Sequence, residues 1–215
     1  MSVETASDLF IDQLKDIYSA EKQAVRAYPR LAKVVQSEDL KGAMQEHLEQ
    51  TKQQVERLDR AFEILEKRAN GKTCEGMKGL IEEAFTHAKE IEPGSLLDAA
   101  LIGALQRVEH YEIAAYGTVA TLAEAMGQEE IHELLAETLQ EEKDTDAKLT
   151  QVAESVNTEA ISEGEEVDEE DEADEEDETD EDDETEEDDE IDEDEEEEKP
   201  VPKKSTSKAA KKSGR

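Results

Sequence analysis

LIGALQRVEHYEIAAYGTVATLAEAMGQEEIHELLAETLQEEKDTDAKLT (residues 101–150) carries the reading of this chain. Before Gly127, apolar residues recur by threes and fours at Leu101, Leu105, Val108, Ala115, Val119 and Leu122. After it the series is Ile131, Leu135, Thr138, Thr145 and Leu149. That spacing paints one apolar stripe on each of two helices, and the glycine predicts a tight turn between them. Each stripe is broken once by an acid. Glu112 fills the place between Val108 and Ala115, and Glu142 the place between Thr138 and Thr145. Both lie about 15 residues from the turn, so an antiparallel pair sets them opposite each other.

The same period continues outward. A first helix is predicted from about Ser7, as N-cap, to Gln36, on Phe10, Leu14, Ile17, Ala24, Tyr28, Leu31 and Val35. A second runs from about Asp39 to Ala69 on Leu40, Met44, Leu48, Val55, Leu58, Phe62 and Leu65, stopped at Asn70-Gly71-Lys72. A shorter third spans roughly Thr73 to Ile91 before Pro93-Gly94. Ser95 with Asp98 reads as a capping box opening the fourth helix, which extends to about Met126; the fifth runs from about Glu129 to Val156. No strand alternation occurs. Two helical hairpins joined by a long crossover, with a short extra helix inside it, predict an all-α, ferritin-like four-helix bundle.

The 215 residues carry 62 acids and 24 bases, a net charge of −38. Residues 1–155 hold 31 acids and 17 bases, an ordinary acidic globule; residues 156–215 hold 31 acids and 7 bases. Three segments are therefore expected: a bundle over 1–156, a disordered acidic tail over 157–198, and a disordered Lys-rich tail over 199–215. An acidic bundle should not bind nucleic acid, while the basic end, KPVPKKSTSKAAKKSGR, is expected to make weak phosphate contacts. No apolar run approaches membrane-spanning length, and MSVETASDLF lacks the layout of a signal peptide. One cysteine, Cys74, fits a reducing compartment, so the expected location is cytoplasmic.

Glu21 repeats the pattern of Glu112 and Glu142, falling in the series 10, 14, 17, 21, 24, 28 of the first helix at a matching depth. A lone buried carboxylate is costly, so three aligned ones require a shared cation or a hydrogen-bond network. Glu109 lies one turn from Glu112 on the flank of its stripe. Helical bundles hold iron or manganese pairs with such inward carboxylates, commonly with Glu-x-x-His on two helices. Here Thr145 stands where a histidine would follow Glu142, and the second helix reads Gln53-Gln54 at that depth, with Arg57 beyond. His47, placed by the wheel about 50° off its stripe, is the remaining candidate ligand. The competing reading is a buried polar network with Arg26, Arg57 or Lys143. His110, Glu46 and Glu49 read as solvated, and the tyrosines as core or rim residues.

DLFIDQLKDIYSAEKQAVRAYPRLA (8–32), HLEQTKQQVERLDRAFEIL (47–65), VEHYEIAAYGTVATLAEAMG (108–127) and LLAETLQEEKDTDAKLT (134–150) resemble the YciF/YciE-type ferritin-like family. The resemblance spans residues 1 to about 156. It implies a ferritin-like bundle with a dinuclear site, stress-associated expression in bacteria, and a homodimer. The family's signature stretches place Glu21, Glu109, Glu112, Glu141 and Glu142 on the metal-facing part. Two functions follow as expectations. One is a carboxylate-rich centre of two iron or manganese ions acting on peroxide, oxygen or ferrous iron. The other is a non-enzymatic dimeric scaffold whose charged tail contacts partners.

Overall fold

The computed structural model describes residues 3–69 and 72–174, with side chains in the last helix as far as residue 163. Among the described residues five helices follow one another: α1 (Ala6–Leu31), α2 (Glu38–Ile64), α3 (Glu75–Glu90), α4 (Ser95–Ala125) and α5 (Glu129–Asp174). No strand occurs among the described residues. No described helix is long and apolar enough to cross a membrane.

The helix ends show what local chemistry decides. α1 begins two residues earlier than expected. Thr5, not Ser7, is its N-cap: Thr5 Oγ1 accepts from the Asp8 amide at 3.1 Å and Asp8 Oδ2 accepts from the Thr5 amide at 3.1 Å. Its end falls at Leu31 rather than Gln36, because Val35 is buried from within the connection and only mimics the helical series. α2 stops at Ile64, not Ala69. Glu66 takes a left-handed φ of 53°, and the Lys67 amide reaches back to the Phe62 carbonyl at 3.0 Å. The same closure ends α4, where Gly127 at φ 69° lets the Gln128 amide reach Ala123 O at 2.9 Å.

The expected Ser95–Asp98 capping box does not form. Gly94 is the N-cap of α4 and makes no side-chain cap bond. Asp98 is instead buried and accepts from the backbone amides of Gln36, at 3.1 Å, and Ser37, at 2.6 Å. A carboxylate from the second hairpin thus holds the turn of the first, a long-range use that local spacing cannot reveal. α5 also differs from expectation, continuing past Val156 to Asp174. Residues 157–163 contain neither glycine nor proline, so nothing there breaks the backbone ladder. The rest of the expected acidic tail (175–198) and the basic tail (199–215) lie outside the described residues.

Two apolar layers run across the bundle. One gathers Phe10 and Leu14 of α1, Leu58 and Phe62 of α2, Val119 and Ala123 of α4, and Ile131 and Leu135 of α5. The other gathers Leu31, Leu40, Met44, Leu97, Leu101, Leu105 and Leu149. The first layer therefore joins the start of α1, the end of α2, the end of α4 and the start of α5. That makes α1 parallel to α5 and α2 parallel to α4, with α3 carrying the chain back along the bundle. This is the two-hairpin, long-crossover topology of the ferritin-like fold. α3 packs through Met77 and Cys74 against Ala20 and Val108. Between the two apolar layers lies a polar stratum, and the site sits there.

Candidate metal centre

Each long helix sends polar side chains into this stratum. Glu21, Glu109 and Glu142 are fully buried, Glu112 is 1% exposed and His47 is 3% exposed. Thr51, Gln54 and Thr138 are buried with them. Ligand atoms of His47, Glu109, Glu112 and Glu142 all lie within 4.8 Å of one another. Glu21 is adjacent, and its carboxyl is pushed well up by burial and then by the charge of Glu142. All five candidate residues are thus in one buried layer, with four of them in the tightest group.

His47 departs most from its predicted place. The inward face of α2 follows Leu40, Met44, His47, Thr51, Gln54, Leu58 and Phe62. Leu48 and Val55, expected on that face, are only half-buried. Apolarity alone could not find a face that turns polar for two turns, although the 3–4 spacing of these seven positions is legible once polar residues are admitted. Glu141, placed inward by family signature, is only half-buried and turns to Arg57 instead; the guanidinium grips it through two bonds of 2.6 Å. Arg57 also reaches Glu137 at 2.8 Å. Arg26 and Lys143 are exposed, and Arg57, bound to Glu141, acts on Glu21 and Glu142 only as a minor charge from outside the stratum. His110 and Glu46 are exposed too, as expected, His110 standing 3.4 Å from Asp146.

Two tyrosines, read from sequence as core or rim residues, donate into the centre. Tyr28 Oη binds Glu109 Oε1 at 3.0 Å, and Tyr116 Oη binds Glu21 Oε1 at 2.6 Å. His47 is oriented by Thr145 Oγ1, 3.1 Å from its Nδ1, and by the edge of Tyr28, with ring centroids 5.3 Å apart. Its other nitrogen, Nε2, points among the carboxylates. It lies 3.3 Å from Glu109 Oε1 and 3.8 Å from Glu142 Oε2, without hydrogen-bond geometry to either. Burial holds the ring's pKa down at about 4, so it is neutral at pH 7 and carries a lone pair.

Without a counter-ion the carboxylates cannot all ionise. Burial, and then the charges of their neighbours, pushes Glu109 and Glu112 well above the usual carboxylate range. Glu142 is raised to about 7, chiefly by burial. Among the described residues, seven buried side-chain atoms lack a hydrogen-bond partner, and all belong to this stratum. They are Glu21 Oε2, His47 Nε2, Gln54 Oε1, Glu109 Oε2, Glu112 Oε1 and both oxygens of Glu142. Native interiors leave few such atoms unsatisfied, and a set converging on one point marks a place for a ligand. Carboxylate oxygens with one neutral imidazole form a donor set that suits iron or manganese. The residues fit a metal.

Residues 5–162 match the family described as Domain of unknown function (DUF892). The chain belongs to this family. Within it, the chain is 48% identical over 165 residues to Protein YciF of Escherichia coli K12, covering 74% of this chain and 98% of that protein. The crystal structure of the E. coli stress protein YciF superposes with a TM-score of 0.70 at 47% identity, covering 73% of this chain and 99% of that one. YcfI from Rhodopseudomonas palustris matches with a TM-score of 0.68 at 41% identity, covering 69% and 95%. Outside such close relatives, a dodecameric thioferritin from Bacteroides fragilis shares the fold at a TM-score of 0.55 and 20% identity, covering 71% and 89%. The DUF892 chain is therefore a ferritin-like helical protein with a buried His/Glu cluster able to hold metal.

Proposed function

We infer that this cluster is a carboxylate-rich dinuclear iron or manganese centre, with Glu21, Glu109, Glu112, Glu142 and His47 as its protein ligands. The convergence of six orphaned ligand atoms from these five residues carries the reading. Charge supports two ions rather than one: four buried carboxylates balance two divalent cations. Iron or manganese bound there would supply redox chemistry toward peroxide, oxygen or ferrous iron. The chain's own residues do the rest. Tyr28 and Tyr116 each occupy one carboxylate oxygen and fix its rotamer. Thr145 sets the ring of His47, and the two apolar layers exclude water. The likeness to YciF, described as a stress protein, supports a role in bacterial stress; the setting we propose for it is a cytoplasmic homodimer.

Mass-spectrometric metal analysis of the full chain, after anaerobic loading with Fe²⁺ or Mn²⁺, tests this. Two ions per chain are expected, together with peroxide consumption by the loaded protein. No stoichiometric metal under either condition removes the reading. A scaffold without chemistry is the second reading, and Thr145 and Gln54 favour it, since they stand where a fuller ligand set would place donors. Absence of stoichiometric metal would decide for it, as would stoichiometric metal that turns over neither peroxide, oxygen nor ferrous iron.

A further inference from the structure

One seam of the bundle leads to the centre from outside. Between α2 and α5 a groove of about 140 Å³ reaches down to His47 and Thr145, with Glu46, Asp144 and Lys148 along it. A second hollow of about 460 Å³ shares Glu46 and Lys148 with it and continues toward Glu38 and Asp39 at the start of α2. His47 and Thr145, 3% and 7% exposed, are the buried polar members of the smaller groove. The imidazole spans the boundary. Nδ1 meets Thr145 at 3.1 Å, while the unpartnered Nε2 points in among the carboxylates. One ring therefore separates the groove from the buried cluster.

The alternatives are poorer for a cation. Elsewhere on the same seam, Arg57 is clamped to Glu141 by two 2.6 Å bonds, which closes the gap and occupies both oxygens of that carboxylate. The hollow between α1 and α2 that touches Tyr28 is lined by Met44, Leu48 and Lys33, with no acid to replace a cation's water. The α2–α5 groove carries four acids against Lys148 alone. Lys148 itself is tied to Glu46, and side chains 43% and 60% exposed form a pair that water opens readily.

We propose that divalent cations reach the buried carboxylates through this acidic α2–α5 groove, with the Glu46–Lys148 pair as an outer latch and the His47 ring as the inner door. The proposal rests on the metal reading of the centre. Its test is the rate of Mn²⁺ uptake by the metal-free full chain at low ionic strength, followed by loss of the free-ion electron paramagnetic resonance signal. The variant Glu46→Lys/Asp144→Lys reverses two exposed charges in the groove. Glu82→Lys/Glu90→Lys reverses two exposed charges on α3 and matches the change in net charge. Loading of the groove variant should be at least about ten-fold slower than that of the α3 control, with the same final Mn²⁺ content, as expected when local field focuses an ion. Lys148→Met should load at least as fast as the unaltered protein. A groove variant within about ten-fold of its control, or slower loading by Lys148→Met, overturns the route while leaving the metal centre standing. An unaltered protein that takes up no Mn²⁺ removes the centre and the route together.

Discussion

Replacing Glu112 by leucine should stabilise the metal-free protein while depriving it of metal. The side chain is 1% exposed, its Oε1 has no hydrogen-bond partner, and its carboxyl is pushed well above the usual carboxylate range by burial and by the charges of Glu21, Glu142 and Glu109. A buried polar atom left unsatisfied costs about 1–3 kcal/mol, which the leucine recovers at similar volume. For a domain of this size, each kcal/mol moves Tm by about 2–4 °C, so Glu112→Leu should raise the Tm of the chelator-treated protein by roughly 2–12 °C. Differential scanning calorimetry at pH 7, with urea unfolding to check that the slope is unchanged, reads the effect. Glu112→Gln serves as control: the amide keeps polar atoms in place and should gain less. Adding Mn²⁺ should raise the Tm of the unaltered protein and leave the Glu112→Leu protein nearly unmoved. A leucine variant that melts below the unaltered protein without metal would show that Glu112 is satisfied in the apo bundle, and the argument from orphaned atoms would fail.

Other expectations follow from the same contacts. Arg57→Ala breaks the two-pronged grip on Glu141 and the bond to Glu137, and should cost about 1–3 kcal/mol in urea unfolding, since charge-assisted pairs that are partly buried are the strong ones. Asp98→Ala strips the acceptor from the Gln36 and Ser37 amides and should cost a similar 1–3 kcal/mol, roughly, visible as faster hydrogen exchange at residues 36 and 37. The metal-free protein should lose stability as pH rises from 4.5 to 7, because Glu142 keeps its proton over that window when folded and releases it when unfolded. That one group accounts for about 3 kcal/mol. His47 acts with the opposite sign: its folded pKa near 4 lies below the ordinary 6.5, so its contribution is present above 6.5 and is lost as pH falls through 4. These two shifts are of similar size and nearly cancel, so the raised carboxyls of Glu21, Glu109 and Glu112 decide the sum: urea midpoints across pH 4–8 should fall with rising pH, less steeply in Glu142→Gln, and a midpoint that climbs steadily toward pH 7 contradicts the burial argument.

Much of the fold was legible in the chain, since helical period and turn glycine are local properties. The α5 stripe from Ile131 to Leu149 is buried at every expected position, and Gly127 closes α4 in the left-handed conformation anticipated for it. Glu112 and Glu142 were visible as breaks in otherwise apolar series, because a helix face is fixed by 100° steps and an acid in the middle of one has nowhere else to go. The inward face of α2 was not visible in the same way. It turns from Met44 to His47, Thr51 and Gln54, and a search for apolar residues passes instead to Leu48 and Val55.

Sequence by itself determined the elements: five helices, the two-hairpin order, and acids placed mid-stripe at like depths. Those follow from backbone period and chain length, which each segment carries alone. Only the tertiary structure decided the partnerships. It gave Asp98 to the α1–α2 turn, Arg57 to Glu141 and not to the centre, Tyr28 and Tyr116 to Glu109 and Glu21, and His47 to the middle of the carboxylates. The reason is physical: a buried polar atom is satisfied by whatever another helix brings within 3 Å or so. That depends on the relative rotation of helices about their axes, a quantity set by packing both apolar layers at once.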